Sequence, residues 1–237
     1  MCRMIMATGA FDPQAVVAAA AAMSCGETAD HDNKTKAHAH GWGAVWRTAS
    51  GELATFRDTR PFAESAHESG ILEAADFLAI HVRNATLPSQ RGLEFTHPLS
   101  RPGDDWYFMH NGYLPAAHRH LGLERSEFDT REYFDCLLPP GTLKLAEAEA
   151  LDVLRSIGAK ATSGNAIAVR PDRAYLVHWS PPDTPTPLFF AMHELVEPGT
   201  RIVSSEVVAD LAPKHRWTPL APDCLVEILF DDLGAQS

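Results

Sequence analysis

Residues 77–83 form an unbroken apolar run, FLAIHVR, that ends in polar residues. Such a run predicts a β-strand buried on both faces, because a strand with one face in water alternates apolar and polar residues. A second run at residues 106–112, WYFMHNG, predicts another strand that leads into a loop. A sheet covered on both faces needs further layers against it, so the sequence predicts layered sheets and helices.

The rest of the chain supplies further candidate elements. Strands are expected at residues 2–8, 43–47, 52–57, 165–170, 174–179, 188–192, 201–204 and 224–230. Helices are expected at residues 14–23 after the cap pair Asp12-Pro13, at 129–138, and at 143–157 before Gly158. Residues 26–40 are expected to be a mobile surface loop and 180–187 a proline-rich loop. No repeat or composition break divides residues 1–237, which predicts one α+β domain.

Charge and cysteine usage exclude several classes of protein. The formal net charge is -11 and Lys and Arg form no patch, which argues against a nucleic-acid partner. The apolar run at residues 15–23 faintly resembles a secretory signal, but it is far shorter than the roughly 20 residues of a membrane helix. We prefer a buried Ala-rich helix there. The 4 cysteines lack C-x-x-C spacing, which favours the reducing cytoplasm over a zinc or disulfide scaffold.

Cys2 is the first candidate nucleophile. Met1 precedes a small side chain, the situation in which the initiator methionine is commonly removed, and its removal would expose the α-amino group of Cys2. An α-amine titrates near about 7.7–8.0 and a thiol near about 8.5, so the amine can act as a base for the thiol, directly or through water. A cysteine at position 2 can also be accidental, so the assignment depends on motifs elsewhere.

Six short motifs follow Cys2, each weak by itself. They are His40-Gly41-Trp42-Gly43, His81-Val82-Arg83-Asn84-Ala85-Thr86, Thr96-His97-Pro98-Leu99, Met109-His110-Asn111-Gly112, Phe128-Asp129-Thr130-Arg131-Glu132 and Ser204-Ser205-Glu206. Together with the initial M-C-R, this series resembles the glutaminase domain of class II glutamine amidotransferases. It is most similar to stand-alone members such as the ergothioneine-pathway γ-glutamyl hydrolase and the glutathione-degrading amidotransferase-like proteins. The resemblance implies the four-layer αββα sandwich of Ntn hydrolases.

The resemblance implies a grip for the head of a glutamyl substrate. Arg83 occupies the position that binds the α-carboxylate, and a guanidinium fork suits a carboxylate because it forms two charged hydrogen bonds. Thr86 would add a hydroxyl nearby, whereas Asn84 departs from the tryptophan that many glutaminase domains carry there. Asp129 matches the aspartate that receives the α-ammonium group. It can also be a helix N-cap, with Glu132 completing a capping box.

The resemblance also implies an oxyanion hole and supporting residues. Asn111 and Gly112 match the H-N-G motif, in which an amide side chain and a backbone N–H donate to the tetrahedral oxygen. Asn-Gly alone is a common hairpin turn, and only its companion motifs favour the catalytic interpretation. His97 aligns with a motif that orders the nucleophile's loop. Trp42 and Gly43 align with a segment that lines the pocket.

The other histidines are given no catalytic role. His81 and His110 are expected to be buried structural histidines rather than general bases. His31, His38 and His40 come nearest to a metal cluster, but their polar loop gives no defined geometry. No metal and no cofactor are therefore expected.

The pattern predicts an amidohydrolase that cleaves the γ-glutamyl amide of glutamine or a γ-glutamyl compound through a Cys2 thioester. We expect no room for a synthase domain, so the protein hydrolyses a dedicated compound or delivers ammonia to a separate subunit. A non-catalytic sensor or regulatory subunit that binds such a ligand is the alternative. An acylase of penicillin or bile-salt type is disfavoured, because the Arg83 and Asp129 pair does not suit an apolar acyl group. No motif identifies the leaving group or the oligomeric state.

Overall fold

The computed structural model describes residues 2–115, 117–157 and 161–234. Its strands are β1 (Cys2–Gly9), β2 (Trp42–Arg47), β3 (Leu53–Asp58), β4 (Phe77–Arg83), β5 (Tyr107–Tyr113), β6 (Ser163–Arg170), β7 (Arg173–His178), β8 (His193–Glu197), β9 (Thr200–Ser204), β10 (Thr218–Pro219) and β11 (Cys224–Leu229). Its helices are α1 (Pro13–Cys25), α2 (Phe62–Ser65), α3 (Ala117–Leu121), α4 (Asp129–Leu137), α5 (Glu147–Ile157), α6 (Pro187–Phe190) and α7 (Phe230–Gly234).

The strands form two antiparallel sheets. The larger sheet has the order β10-β8-β9-β1-β4-β2-β3, and the smaller one has the order β11-β7-β6-β5. Strand β4 lies inside the larger sheet, between β1 and β2, and all of its residues are buried. The apolar run that predicts a strand covered on both faces therefore occupies such a position.

Three apolar clusters separate four layers. The first lies between α1 and the larger sheet and includes Val16, Ala20, Ile5, Leu78 and Ile80. The second lies between the two sheets and includes Met4, Met6, Ala79, Met109 and Ile167. The third lies between the smaller sheet and helices α4 and α5 and includes Phe108, Ala166, Phe134 and Leu154. The predicted αββα sandwich of the Ntn-hydrolase type is confirmed.

Helix α1 begins where the sequence predicts it. Asp12 is the N-cap, and its carboxylate accepts a hydrogen bond from the backbone N–H of Gln14 at 2.9 Å. Pro13 occupies the first turn, where its missing N–H costs nothing and its fixed φ suits the helix. The apolar run at residues 15–23 is thus part of a helix packed on the larger sheet, as the preferred interpretation requires.

Most other elements lie within a few residues of their predictions, but one strand is wrong. Residues 188–192 were expected to be extended, yet Pro187–Phe190 forms α6 and the strand β8 follows at His193–Glu197. A proline in the first turn favours helix, and Phe189 and Phe190 are both buried. Helix α5 begins at Glu147, after the predicted 143, and Gly158 lies outside the described residues.

The segment at residues 26–40 forms no helix or strand, as predicted, but it is not a free surface loop. His38 is fully buried, and its ring centroid lies 6.4 Å from that of Phe189. His31 packs edge-on against the same ring at 4.8 Å. Part of this loop therefore belongs to the packed interior rather than to a mobile surface.

No helix in the part of the chain that the structure describes combines the length and the apolar composition needed to cross a bilayer. The helix formed by the early apolar run, Pro13–Cys25, has 13 residues.

Candidate active site

Cys2 and Arg83 are direct neighbours across two strands. Cys2 begins β1, Arg83 ends β4, and the two residues are paired in the antiparallel register. Alternation along β1 places Cys2 on the same face as Met4 and Met6, which point between the sheets. The Cys2 side chain is 8% exposed. The sheet thus presents a thiol and a guanidinium side by side at one end of the inter-sheet space.

The opposite face of β1 is anchored by a buried ion pair. The Nε atom of Arg3 lies 2.7 Å from a carboxylate oxygen of Glu206. One guanidinium N–H also donates to the backbone oxygen of Phe189 at 2.7 Å, and the guanidinium carbon lies 3.5 Å from the centre of that ring. Beside this pair, the Ser205 hydroxyl accepts from the backbone N–H of Met4 at 3.0 Å. The M-C-R and S-S-E motifs therefore meet, and they fix the strand that carries Cys2.

Asn111 contacts the backbone of Cys2 from the smaller sheet. Its Oδ1 accepts the Cys2 N–H at 3.1 Å, and its Nδ2 has no hydrogen-bond partner among the described residues although it is buried. A buried donor without a partner is costly, and this one lies beside the candidate nucleophile. Asn111 is therefore in reach of Cys2 with one donor unused.

Gly112 follows in the same strand, which continues through Tyr113 rather than turning at the Asn-Gly pair. Gly112 lines the cavity beside Cys2. A Cβ atom at this position would overlap the backbone oxygen of Ser163 and crowd the ring of His110. The close packing of β5 against β6 therefore requires glycine here.

The surroundings of Cys2 favour the thiolate. Burial raises the pKa of the thiol, but the charge and hydrogen bonding of His81 and the charge of Arg83 act in the other direction. The net result is a pKa well below the ordinary value for cysteine. A low pKa is typical of reactive rather than structural cysteines.

A cavity of about 420 Å³ opens beside Cys2. Of the predicted site residues, its wall includes Cys2, Arg83, Thr86, His97, Gly112 and Asp129. Asn111 is fully buried behind Cys2 rather than in the wall. The sequence did not identify the rest of the lining, which includes Gln90, His118, Arg119, Arg125 and Phe128.

Arg83 and Asp129 face this cavity as separate charges. Arg83 donates to the backbone oxygen of Gln90 at 2.6 Å, and Asp129 accepts from the backbone N–H of Leu114 at 2.7 Å. Their opposite charges attract, yet the described contacts include no ion pair between them. Burial raises the pKa of Asp129, although His110 opposes the effect. The separation leaves both groups able to bind a ligand.

The capping prediction for Asp129 is wrong in detail. The N-cap of α4 is Phe128, and Asp129 is the first residue of the helix. Glu132 does not reach back to close a capping box. Its two carboxylate oxygens accept from the backbone N–H groups of His118 and Ser126, at 2.8 and 2.7 Å. Glu132 thus ties the segment before α4 to that helix.

Trp42 and Gly43 do not line the cavity, contrary to the prediction. Trp42 is fully buried in the cluster under α1, and its indole N–H donates to the Ser65 hydroxyl at 2.8 Å. A Cβ atom at Gly43 would overlap the backbone oxygen of His97. Gly43 therefore acts indirectly, by letting the His97 segment pack closely against β2.

Two of the loop histidines, His31 and His40, contact other protein groups. His31 lies 3.4 Å from a carboxylate oxygen of Glu206, and His40 accepts from the backbone N–H of Ala85 at 3.1 Å. Across residues 2–115, 117–157 and 161–234, no group of three or more His, Cys, Asp and Glu side chains is arranged to hold a metal ion.

Comparisons with known proteins point to one family. A sequence profile described as "Glutamine amidotransferases class-II" matches residues 14–129. The chain is similar to the glutamine PRPP amidotransferase of B. subtilis, with TM-score 0.67 and 16% identity over 97% of this chain and 48% of that one. It is also similar to an allosteric regulatory enzyme of purine biosynthesis, with TM-score 0.69 and 15% identity over 97% of this chain and 47% of that one. A glutamine aminotransferase class-II domain protein from Silicibacter pomeroyi is similar with TM-score 0.55 and 15% identity over 97% of this chain and 96% of that one.

A search of curated protein sequences finds no match. The chain spans about half the length of the first two solved structures, and at these identities the likenesses establish the fold. The profile match includes Arg83, Asn111, Gly112 and Asp129 but begins after Cys2, so the position of Cys2 is known from the structure. The profile match over residues 14–129 and the shared fold make the chain similar to class II glutamine amidotransferases.

Proposed function

We propose that the protein hydrolyses the γ-glutamyl amide bond of glutamine or a γ-glutamyl compound, with Cys2 as the nucleophile. The observation that carries the proposal is the unused, buried amide donor of Asn111 next to Cys2, with Arg83 on the neighbouring strand. Nucleophile, oxyanion donor and carboxylate-binding group are the parts that acyl transfer from a glutamyl group needs. We propose that they belong to one domain over residues 1–237, with a mature chain that begins at Cys2.

In the proposed reaction the Cys2 sulfur attacks the γ-carbonyl carbon, and the negative charge on its oxygen is stabilised by Asn111 Nδ2 and the Gly112 N–H. The C–N bond then breaks, and the leaving nitrogen takes a proton and departs as ammonia or an amine. Water attacks the γ-glutamyl thioester, which releases glutamate and regenerates Cys2. Removal of Met1 would free the α-amino group to act as a base in these steps.

The proposed substrate head lies between Arg83 and Asp129. Arg83 would bind the α-carboxylate and Asp129 the α-ammonium group, which fits two opposite charges on one cavity wall without an ion pair between them. Thr86 and His97 line the same cavity and are assigned supporting roles. When both charged groups of the substrate are held, the γ-carbonyl is already positioned, so no further loss of substrate freedom is needed to reach the transition state.

Release of glutamate tests the proposal directly. Cys2→Ala should abolish it, whereas the matched variant Cys25→Ala, which changes an exposed cysteine at the end of α1, should retain it. Substrates should include glutamine, glutathione and γ-glutamyl-p-nitroanilide. Full glutamate release by Cys2→Ala would contradict the assignment. The intact mass of the same protein shows whether Met1 has been removed, and retention would favour a non-catalytic binding subunit.

Delivery of ammonia to a separate subunit is the second candidate function. It is favoured by the fold shared with the glutamine PRPP amidotransferase of B. subtilis, an enzyme named for amide transfer. Co-purification with a synthase would support it, whereas rapid turnover of a γ-glutamyl amide by the isolated protein supports outright hydrolysis. We place the activity in the cytoplasm, because Cys2, Cys25, Cys136 and Cys224 are all free thiols.

A further inference from the structure

His40 is a motif residue that the proposed reaction does not use. It ends the loop at residues 26–40 and comes two residues before β2. Where β2 begins, Trp42 is paired with Val82 of β4, so the chain just before β2 runs beside the end of β4. That end is Arg83, which lines the cavity. His40 therefore lies where the strand that carries Arg83 leaves the sheet.

Backbone hydrogen bonds join His40 and its neighbour to both polar backbone groups of Arg83. The His40 N–H donates to the Arg83 oxygen at 2.8 Å, and the Arg83 N–H donates to the Gly41 oxygen at 2.9 Å. Gly41 has a φ of 103°, in the left-handed region that favours glycine, and a Cβ atom there would lie 2.8 Å from the backbone oxygen of Asp58. The H-G pair of the motif thus continues the pairing of β2 with β4 past the end of β2.

The side chain of His40 reaches past Arg83 to the segment that follows. Its Nδ1 accepts a hydrogen bond from the backbone N–H of Ala85 at 3.1 Å. A backbone N–H only donates, so Nδ1 carries no proton and the neutral ring has its proton on Nε2. Burial, together with the charges of Arg91 and Arg83, holds the pKa of His40 below its ordinary value, which keeps Nδ1 unprotonated at pH 7. His40 therefore holds the chain on both sides of Asn84.

The segment that His40 holds belongs to the cavity wall. Thr86 and Gln90 line the cavity together with Arg83. The Arg83 guanidinium donates to the backbone oxygen of Gln90 at 2.6 Å. The Gln90 amide in turn donates to the backbone oxygen of Glu127 at 2.8 Å, in the segment that leads into α4. A change in the direction of the chain after Arg83 would therefore move both its guanidinium and the oxygen that orients it.

We propose that His40 is a positioning residue that holds the Arg83 guanidinium in place for the α-carboxylate of the substrate, through its bonds to the Arg83 oxygen and the Ala85 N–H. His40 is not among the described residues that line the cavity, so it acts through Arg83. Two parallel charged hydrogen bonds need a defined guanidinium orientation, and a small displacement weakens them. This inference rests on the proposed function only in taking Arg83 as the carboxylate-binding group.

The test compares two variants of similar size that differ in the acceptor. The Oδ1 of His40→Asn can accept the Ala85 N–H, whereas His40→Leu has no acceptor. Both are assayed with γ-glutamyl-p-nitroanilide and with its α-methyl ester, which lacks the carboxylate charge. His40→Leu should lower kcat/KM about tenfold for the free acid, mainly through KM, and about twofold or less for the ester. His40→Asn should keep the wild-type preference for the free acid.

Three results of this comparison would overturn the inference. If His40→Leu keeps the wild-type preference for the free acid, Arg83 does not depend on His40. If His40→Leu loses equal activity on acid and ester, its role is general to the structure rather than directed at the carboxylate. If folded His40→Asn loses as much of the preference as His40→Leu, the acceptor is not the cause.

Amide hydrogen exchange tests the contact itself without a substrate. In folded wild type the Ala85 N–H should exchange at least about tenfold more slowly than in an unstructured peptide, and His40→Leu should remove that protection. His40→Asn should retain most of it. Exchange of Ala85 at the peptide rate in folded wild type overturns the inference, even where His40→Leu fails to fold.

Calorimetric binding of L-glutamate and its α-methyl ester by the same proteins keeps the two proposals apart. A wild type that binds glutamate but hydrolyses no γ-glutamyl amide loses only the proposed function, and the preference for acid over ester is then compared among the variants as a ratio of Kd values. Hydrolysis with an unchanged preference in His40→Leu removes only this inference. A wild type that neither binds glutamate nor hydrolyses the amides overturns both.

Discussion

Arg3 and Glu206 form an ion pair almost fully removed from water, with side chains 0% and 4% exposed. Burial lowers the pKa of Arg3 from its ordinary value to about 10, even though Glu206 and Cys2 oppose the effect. Because one pH unit corresponds to about 1.36 kcal/mol, this shift disfavours the charged guanidinium by about 3 kcal/mol relative to water. Burial also raises the pKa of Glu206, despite Arg3 and Thr28. The mutual attraction therefore does not fully offset the cost of desolvating both charges.

This balance predicts strong non-additivity between substitutions. Arg3→Met or Glu206→Leu alone leaves one buried charge without its partner, which should cost about 3–5 kcal/mol of unfolding free energy. The double substitution removes both charges and should be less destabilised than the sum of the two by at least about 2 kcal/mol. Contacts of one partner alone, such as Arg3 with Phe189, are lost equally in the single and double variants. They cancel in the coupling energy.

Urea unfolding at pH 7.5, followed by tryptophan fluorescence, measures the four free energies of this cycle. Matched exposed charges provide a control, because Lys214 and Asp30 form an ion pair 75% and 84% exposed. Their cycle should give a coupling much smaller than that of the buried pair, because solvent screens exposed charges. Additive effects at Arg3 and Glu206 within about 0.5 kcal/mol would refute the argument that burial makes this pair interdependent.

Three further predictions concern the site. Asn111→Ala should lower kcat for glutamate release by about a hundred- to a thousand-fold while Cys2 still reacts with iodoacetamide; a loss under about tenfold would exclude an oxyanion role. Gly112→Ala should lower the melting temperature by several degrees or prevent folding, because its Cβ overlaps the Ser163 backbone. Burial raises the pKa of Asp129, so KM for a glutamyl substrate should rise on acidification at a higher pH than an ordinary aspartate would cause. Calorimetry and pH-dependent kinetics check the last two, and an acid limb that persists in Asp129→Asn would assign it to another group.

The sheets could be predicted from the sequence where the hydrophobic period is clear. The run FLAIHVR coincides with β4 at Phe77–Arg83, because a strand covered on both faces lacks the alternation of apolar and polar residues seen in a half-exposed strand. Residues 188–192 could not be assigned correctly, since a short apolar run has the same appearance in a buried strand and a buried helix. There the packing of Phe189 under the Arg3 guanidinium accompanies a helical turn, and no local period reveals that contact.

The site was only partly predictable, because strand register decides which side chains meet. That Cys2 lies opposite Arg83 follows from the pairing of β1 with β4, which no local pattern encodes. Alternation did carry two usable signals. Trp42 and Gly43 are adjacent in a strand, so they point to opposite faces and cannot both line one pocket. His81 is two residues from Arg83, so it had to share the face of that residue.

The same alternation links the chemistry of this protein to its folding. Cys2 and Arg3 are consecutive residues of β1 and point to opposite faces, one into the site and one to the buried carboxylate of Glu206. The proposed nucleophile lies at the start of its strand, and chain ends are poorly ordered unless other contacts restrain them. The ion pair and the Ser205 contact to Met4 provide that restraint one residue away. The buried charges, which are costly for stability, therefore lie one residue from the Cys2 sulfur, where they hold its strand in place.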